Sequence, residues 1–186
     1  MPGPYTRRVD GETLAALHVN ELQIGLETLE AKRITVWVPG SIGFVSSVGV
    51  GAAAQHGSGT VMDFPDASAG VVHYTAYRPS AATSLVSVSL RSSSNATAGD
   101  HSIGVTVDAS GTGQAYNART DVASFLIPAN PSIYASVTTI VTTAFDGLVS
   151  AAGDHMGIQI NRDGAGAADT AAGTFRLLGI IFEWAT

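Results

Sequence analysis

In Ser84-Leu85-Val86-Ser87-Val88-Ser89-Leu90, apolar and hydroxyl side chains alternate from Val86 to Leu90. An extended strand points successive side chains to opposite faces, so Val86, Val88 and Leu90 fall on a buried face and Ser87 and Ser89 on a wet one. Working outward, the same period returns on both sides. Ile34, Val36 and Val38 alternate with Thr35 and Trp37, and Pro39-Gly40 ends that run as a turn. Further runs at 42–50, 71–77, 102–107, 121–127, 134–143, 155–161 and 174–184 bring the number of expected strands to nine, with no helical period between them. Strands that follow one another without intervening helices predict a mainly β chain, an antiparallel β-sandwich or jelly roll. The last run carries Phe175, Leu177, Gly179 and Ile181 on one face and Arg176, Leu178, Ile180, Phe182 and Trp184 on the other. With both faces largely apolar, it is expected to be central in a sheet or covered by a neighbouring subunit.

The first 32 residues read differently. Pro2 and Pro4 deny helical conformation to their neighbours and give residues 1–9 the character of an extended arm. Asp10 can cap a short amphipathic helix running from Glu12 to about Ala31. Val19, Leu22, Leu26 and Leu29 are spaced three, four and three apart, the seam of a coiled coil, whereas Leu14, Leu17 and Ile24 widen the apolar face beyond it. A helix of this length is marginal alone, so it either zips copies of the chain together or docks on its own β-domain. The expected organisation is an arm and helix for attachment and trimerisation over 1–32, followed by a β-sandwich head over 33–186.

Composition excludes several roles. The formal net charge is −6 with only 9 Lys plus Arg, so no basic surface is expected for nucleic acid. Cysteine is absent, which removes disulfides and thiolate metal sites. The polar start lacks the apolar core of a secretory signal, and the longest strongly apolar run, Leu177 to Phe182, is six residues against the roughly 20 needed to cross a bilayer; no membrane insertion is expected. No phosphate-binding glycine loop, His-Glu-x-x-His or Gly-x-Ser-x-Gly occurs, so the expectation is a protein that is not an enzyme and needs no cofactor or metal. The five histidines, His18, His56, His73, His101 and His155, are scattered. Ala98-Gly99-Asp100-His101 and Ala152-Gly153-Asp154-His155 repeat one another, each opening a strand through the same turn chemistry. A metal would require both Asp-His pairs to meet at one end of a sandwich.

The most distinctive loop leaves a strand at Asn161-Arg162-Asp163-Gly164 and returns through Asp169-Thr170. Arg162 and Asp169 are expected to brace it as an ion pair, worth about 0.2–1 kcal/mol on an exposed surface.

Gly153-Asp154-His155, Ile158-Gln159-Ile160-Asn161-Arg162-Asp163, Asp169-Thr170 and Leu177-Leu178-Gly179-Ile180, in that order, resemble the closing strands of jelly-roll head domains in tailed-bacteriophage structural proteins. Leu17-His18-Val19-Asn20-Glu21-Leu22 with Gly25-Leu26 is similar to the N-terminal segment of phage fibre and baseplate proteins. The resemblance implies a homotrimeric virion protein on the particle surface, anchored to other virion proteins by its N-terminal segment, as a capsid-decorating or head-fibre protein. The alternative it leaves open is a receptor-binding tail fibre or baseplate protein that grips host surface polysaccharide through loops 92–101 and 161–173. Asn95, Asp100, His101, Arg162, Asp163 and Asp169 are the candidate contacts in those loops.

Overall fold

The computed structural model describes residues 33–45, 53–56, 59–66, 69–130, 132, 134–146 and 154–186. The expected arm and helix, with Val19, Leu22, Leu26 and Leu29, lie outside the described residues. The described chain forms eleven strands: β1 Arg33–Pro39, β2 Phe44–Val45, β3 Ala53–His56, β4 Gly59–Phe64, β5 Ala69–Tyr77, β6 Ser84–Ser94, β7 Asp100–Ser110, β8 Arg119–Pro128, β9 Val137–Ile140, β10 His155–Asp163 and β11 Phe175–Ala185. They make a six-stranded sheet, β3-β4-β11-β6-β9 with β1 also on β11, and a five-stranded sheet, β2-β5-β10-β7-β8. β7 pairs with β8, β6 with β9, β5 with β10 and β4 with β11, every pair antiparallel. Those nested pairs are one long hairpin rolled over two sheets, which is the jelly-roll form of the β-sandwich.

Between the sheets lies a core of Phe64, Phe145, Phe175, Phe182 and Trp184, filled in by Val, Ile, Leu and Met side chains. Phe145 meets Phe182 edge-on, ring centroids 5.6 Å apart, and Phe182 stacks on Trp184. The expected strand over 134–143 is correspondingly short: after β9 the chain turns into a 3-10 helix, Thr142–Phe145, that buries Ala144 and Phe145. In the expected strand over 42–50, only Phe44 and Val45 pair among the described residues, Gly40–Ile42 being a 3-10 turn.

Two register shifts explain where simple alternation breaks down. Along β11, Leu177 pairs with Ser92 but Gly179 pairs with Arg91, leaving Leu178 as an extra residue. The inward set is therefore Phe175 and Leu177 before the bulge and Ile180, Phe182 and Trp184 after it. One core face that changes phase had the appearance of two apolar faces. β11 is central, held by β6 along its length on one side and by β4 and β1 on the other. A second shift, between Glu183 and Trp184, sets Trp184 opposite Leu85 and skips Val86. Leu85 turns towards the core and Val86 outwards, the reverse of what unbroken alternation predicts. On the outer side of β11, Trp37 lies against Gly179, where a Cβ would come within 2.5 Å of the indole and 2.7 Å of the Val38 carbonyl oxygen.

Candidate functional site

The two loops expected to carry ligand contacts are brought side by side at one end of the sandwich. Asn95 Oδ1 accepts a hydrogen bond from the Thr174 amide at 2.6 Å, and the Asp100 carbonyl oxygen accepts from the amides of Thr170 and Ala171. Thr170 Oγ1 in turn accepts from the Asp100 amide.

Inside this junction Arg162 is fully buried, and all of its N–H groups are directed at acceptors. Nε donates to Asp169 Oδ2 at 2.8 Å and Nη2 to Asp169 Oδ1 at 2.7 Å, a two-pronged pair. Nη2 also donates to the Ala171 carbonyl, and Nη1 to the carbonyls of Phe64 and Gly173. Asp66 Oδ1 sits 3.4 Å away. The Asp169 side chain is itself 1% exposed and accepts from the Ser102 amide. Burial by itself raises its carboxyl pKa, but the hydrogen bonds from Arg162 and the Ser102 amide outweigh that and bring it below the usual value. The expected ion pair is thus present, but it lies inside the domain, where it clamps β4 of one sheet to β10 and β7 of the other.

His101 is also inward, 1% exposed, with its ring 5.3 Å from that of Phe175. Burial first, and the Arg162 charge second, lower its pKa to about 4. Its Nε2 lies 2.8 Å from Ser94 Oγ, a serine-histidine contact. Nδ1 has no hydrogen-bond partner, so no carboxylate orients the ring as a triad requires. The cavity beside it, lined by Ser92, Ser94, Asn130 and Phe175 among others, has a volume of about 10 Å³, room for little more than a water molecule. Arg162, Asp169 and His101 therefore build the end of the domain, whereas Asn95 and Asp163 are exposed and Asp100 half-buried on its surface.

The two Asp-His turns do not meet. His155 lies opposite Ser110 at the far end of β7, whereas His101 lies near the start of that strand. Adjacent antiparallel strands begin at opposite ends, so the pairs are about 30 Å apart along the sheet at roughly 3.3 Å per residue. Asp154 instead accepts from Arg119 at 2.9 Å. Among the described residues no group of three His, Cys, Asp or Glu side chains is placed to hold a metal ion.

The surface that sequence reasoning missed is the outer face of the five-stranded sheet. The ladder registers bring its outward residues into rows across the strands. One row is Phe44, His73, Gln159, Thr106 and Val122. Beside it runs Val71, Asn161, Gly104 and Ser124, and on the other flank Thr75, Gly157, Asp108 and Thr120. Tyr77 and His155 close one end, T-shaped with ring centroids 5.5 Å apart. The centre is polar and half-buried, while Phe44, Tyr77, Val122 and Leu126 stand exposed around it. At Gly104 a Cβ would come within 2.4 Å of Asn161 Oδ1, so the amide of Asn161 lies across bare backbone. At Gly157 the nearest atoms to such a Cβ are 3.9 Å away, leaving a dip beside Gln159. No motif announces this face, because each strand contributes only a few of its residues.

No protein-family model matches the chain, and no curated protein matches its sequence. Solved structures do. Isomalto-dextranase of Arthrobacter globiformis T6, complexed with panose, has a TM-score of 0.51 at 18% identity over 80% of this chain and 23% of that one. The likeness is one of fold. A cycloisomaltooligosaccharide glucanotransferase of Paenibacillus sp., complexed with cycloisomaltoheptaose, has a TM-score of 0.49 at 13% identity over 79% of this chain and 18% of that one. The CBM35 from Cellvibrio japonicus Abf62 has a TM-score of 0.46 at 12% identity over 82% and 97% of the two chains. This chain thus spans less than a quarter of either of the first two proteins.

Proposed function

We propose that this is a non-enzymatic structural protein of a bacteriophage particle whose jelly-roll head binds host-surface glycan through the outer face of the five-stranded sheet. The virion placement rests on the resemblance of the closing strands and the N-terminal segment to phage proteins. Of the two placements that resemblance leaves open, receptor binding is favoured over capsid decoration by a single observation, the composition of this face. Its centre of Gln159, Asn161, Thr106 and His73 offers amide, hydroxyl and imidazole groups that can both donate and accept, which is what sugar hydroxyls require. Exposed Phe44 and Tyr77 at its margins offer apolar faces for sugar rings. Four strand-to-strand spacings of about 4.8 Å make the central row about 19 Å wide, enough for a short run of sugar units lying across the strands. The contact surface is therefore moved from loop tips to a sheet, where rigid backbone fixes the polar groups in advance.

A panel of soluble host-type polysaccharides tests the reading by retardation of the full chain in affinity gels. Binding to at least one, reduced about tenfold by Gln159→Ala or Tyr77→Ala with the fold intact, is expected. Absence of retardation across the panel, or unchanged binding in both variants, would refute it.

A further inference from the structure

We infer that the glycan taken by the five-stranded face is uncharged, an inference that rests on the glycan reading above. It comes from where the chain puts its cations. Of nine basic residues, Arg7, Arg8 and Lys32 lie outside the described residues, and none of the other six lies on this face. Arg33 is in β1, and Arg91 and Arg176 point outwards from the six-stranded sheet, towards Ser136 and Asp63 respectively. Arg78 donates to the carbonyls of Ala82 and Thr83, Arg119 pairs with Asp154, and Arg162 is buried in the clamp.

Carboxylates are distributed the other way. Alternation along β7 and β10 places Asp100, Asp108 and Asp163 on the outward side, in register with Pro128, Thr120 and Ala69. Asp108 is the most central, two residues along β7 from Thr106, and its Oδ1 accepts from Thr120 Oγ1 at 2.6 Å. A ligand lying over Gln159 and Thr106 is thus within a Debye length of about 10 Å of fixed negative charge, with no arginine or lysine among the described residues of this face to offset it. Recognition of uronates, phosphates or sulfates is favoured by arginine or lysine in contact, commonly as two-pronged arginine pairs. An acidic polymer would be repelled, whereas hydroxyl groups lose nothing by the presence of a carboxylate acceptor.

The experiment compares each polysaccharide of the neutral panel with its carboxymethylated derivative, which keeps the backbone and adds charge. The full chain is used at low salt and at about 0.5 M salt. At low salt the derivative is expected to bind at least about tenfold more weakly than its parent, with the gap narrowing at high salt as repulsion is screened. Asp108→Lys should narrow the gap at low salt. Equal or tighter binding of the derivative at low salt would overturn the inference while leaving glycan binding intact. A gap that neither salt nor Asp108→Lys alters would also overturn it, since bulk rather than charge would then discriminate. Failure of every neutral and charged polymer to bind would instead bring down the glycan reading itself.

Discussion

Replacing Arg162 with methionine should cost far more than the loss of a surface ion pair. The substitution keeps most of the aliphatic volume but removes every donor from a site where the side chains of the arginine and of Asp169 are 0% and 1% exposed. Asp169 would keep the Ser102 amide as its hydrogen-bond donor, and the carbonyls of Phe64, Ala171 and Gly173 would each lose an arginine donor. Breaking one side of a buried charged pair typically costs about 3–5 kcal/mol, most of it the penalty for the stranded partner. For a domain of this size each kcal/mol is worth roughly 2–4 °C, so the melting temperature should drop by about 6–20 °C. Urea unfolding followed by tryptophan emission suits the measurement, because Trp184 is 1% exposed and reports the core, whereas Trp37, at 45%, contributes a more solvent-like signal. The double variant Arg162→Met with Asp169→Leu removes the stranded carboxylate and should recover a large part of the loss. A single-variant loss below about 1 kcal/mol, or a double variant whose loss is the sum of the two singles, would refute the clamp as described.

Acid should destabilise the domain through His101. Its folded pKa of about 4 lies below the ordinary histidine value of 6.5, so the unfolded chain binds the extra proton first, and stability falls as pH drops from about 6.5 towards 4, by about 3 kcal/mol in all. His101→Gln should flatten that part of a urea-midpoint profile; an unchanged slope would mean another group titrates there. Below that window the lowered pKa of Asp169 adds a further loss as its carboxylate protonates, and Asp169→Asn should remove it from an acid-unfolding curve. Gly104→Ala should force Asn161 off the sheet and weaken glycan binding several-fold while lowering stability by no more than about 1–3 kcal/mol, readable by titration beside a melt. Gly179→Ala meets Trp37 and the Val38 carbonyl instead, so it should loosen β1 and shift Trp37 emission; an unaltered spectrum would count against that packing.

Fold class was legible from alternation alone, and the places where it misled are those where alternation is interrupted. Leu178 and Val86 are single extra residues, and nothing in their chemistry marks them as bulges, since leucine and valine are ordinary strand residues. β3 and β4 went unread for a different reason. Ala53-Ala54-Gln55-His56 has little strand propensity, and Val61, Met62 and Phe64 are all apolar, which blurs the period although Met62 and Phe64 alone point to the core. The Arg162–Asp169 pair was visible as charge flanking a small-residue loop, but its burial was not. That depends on Phe64 and Ser102 arriving from strands distant in sequence. The outer face was the least legible part, because Phe44, His73, Gln159, Thr106 and Val122 become neighbours only through four separate ladders.

β10 shows why clamp and face belong to one design. Met156, Ile158, Ile160 and Arg162 point inwards, and Gly157, Gln159, Asn161 and Asp163 point outwards, so the residues proposed to meet glycan alternate with those that fix the strand. Arg162 holds the end of β10 against β4 and, through Asp169, against β7, and thereby fixes the spacing between Asn161 and Gly104 across the ladder. Polar contacts that are already positioned before the ligand arrives lose less conformational entropy on binding, and each side chain left to be ordered costs about 0.5–1.5 kcal/mol. A buried charge cluster of this kind is a weak way to add stability, since well-packed apolar residues often do as well or better. Its value here is geometric: it forbids β10 from slipping in register, and a slip of one residue would exchange Gln159 and Asn161 for Ile158 and Ile160 on the outer face.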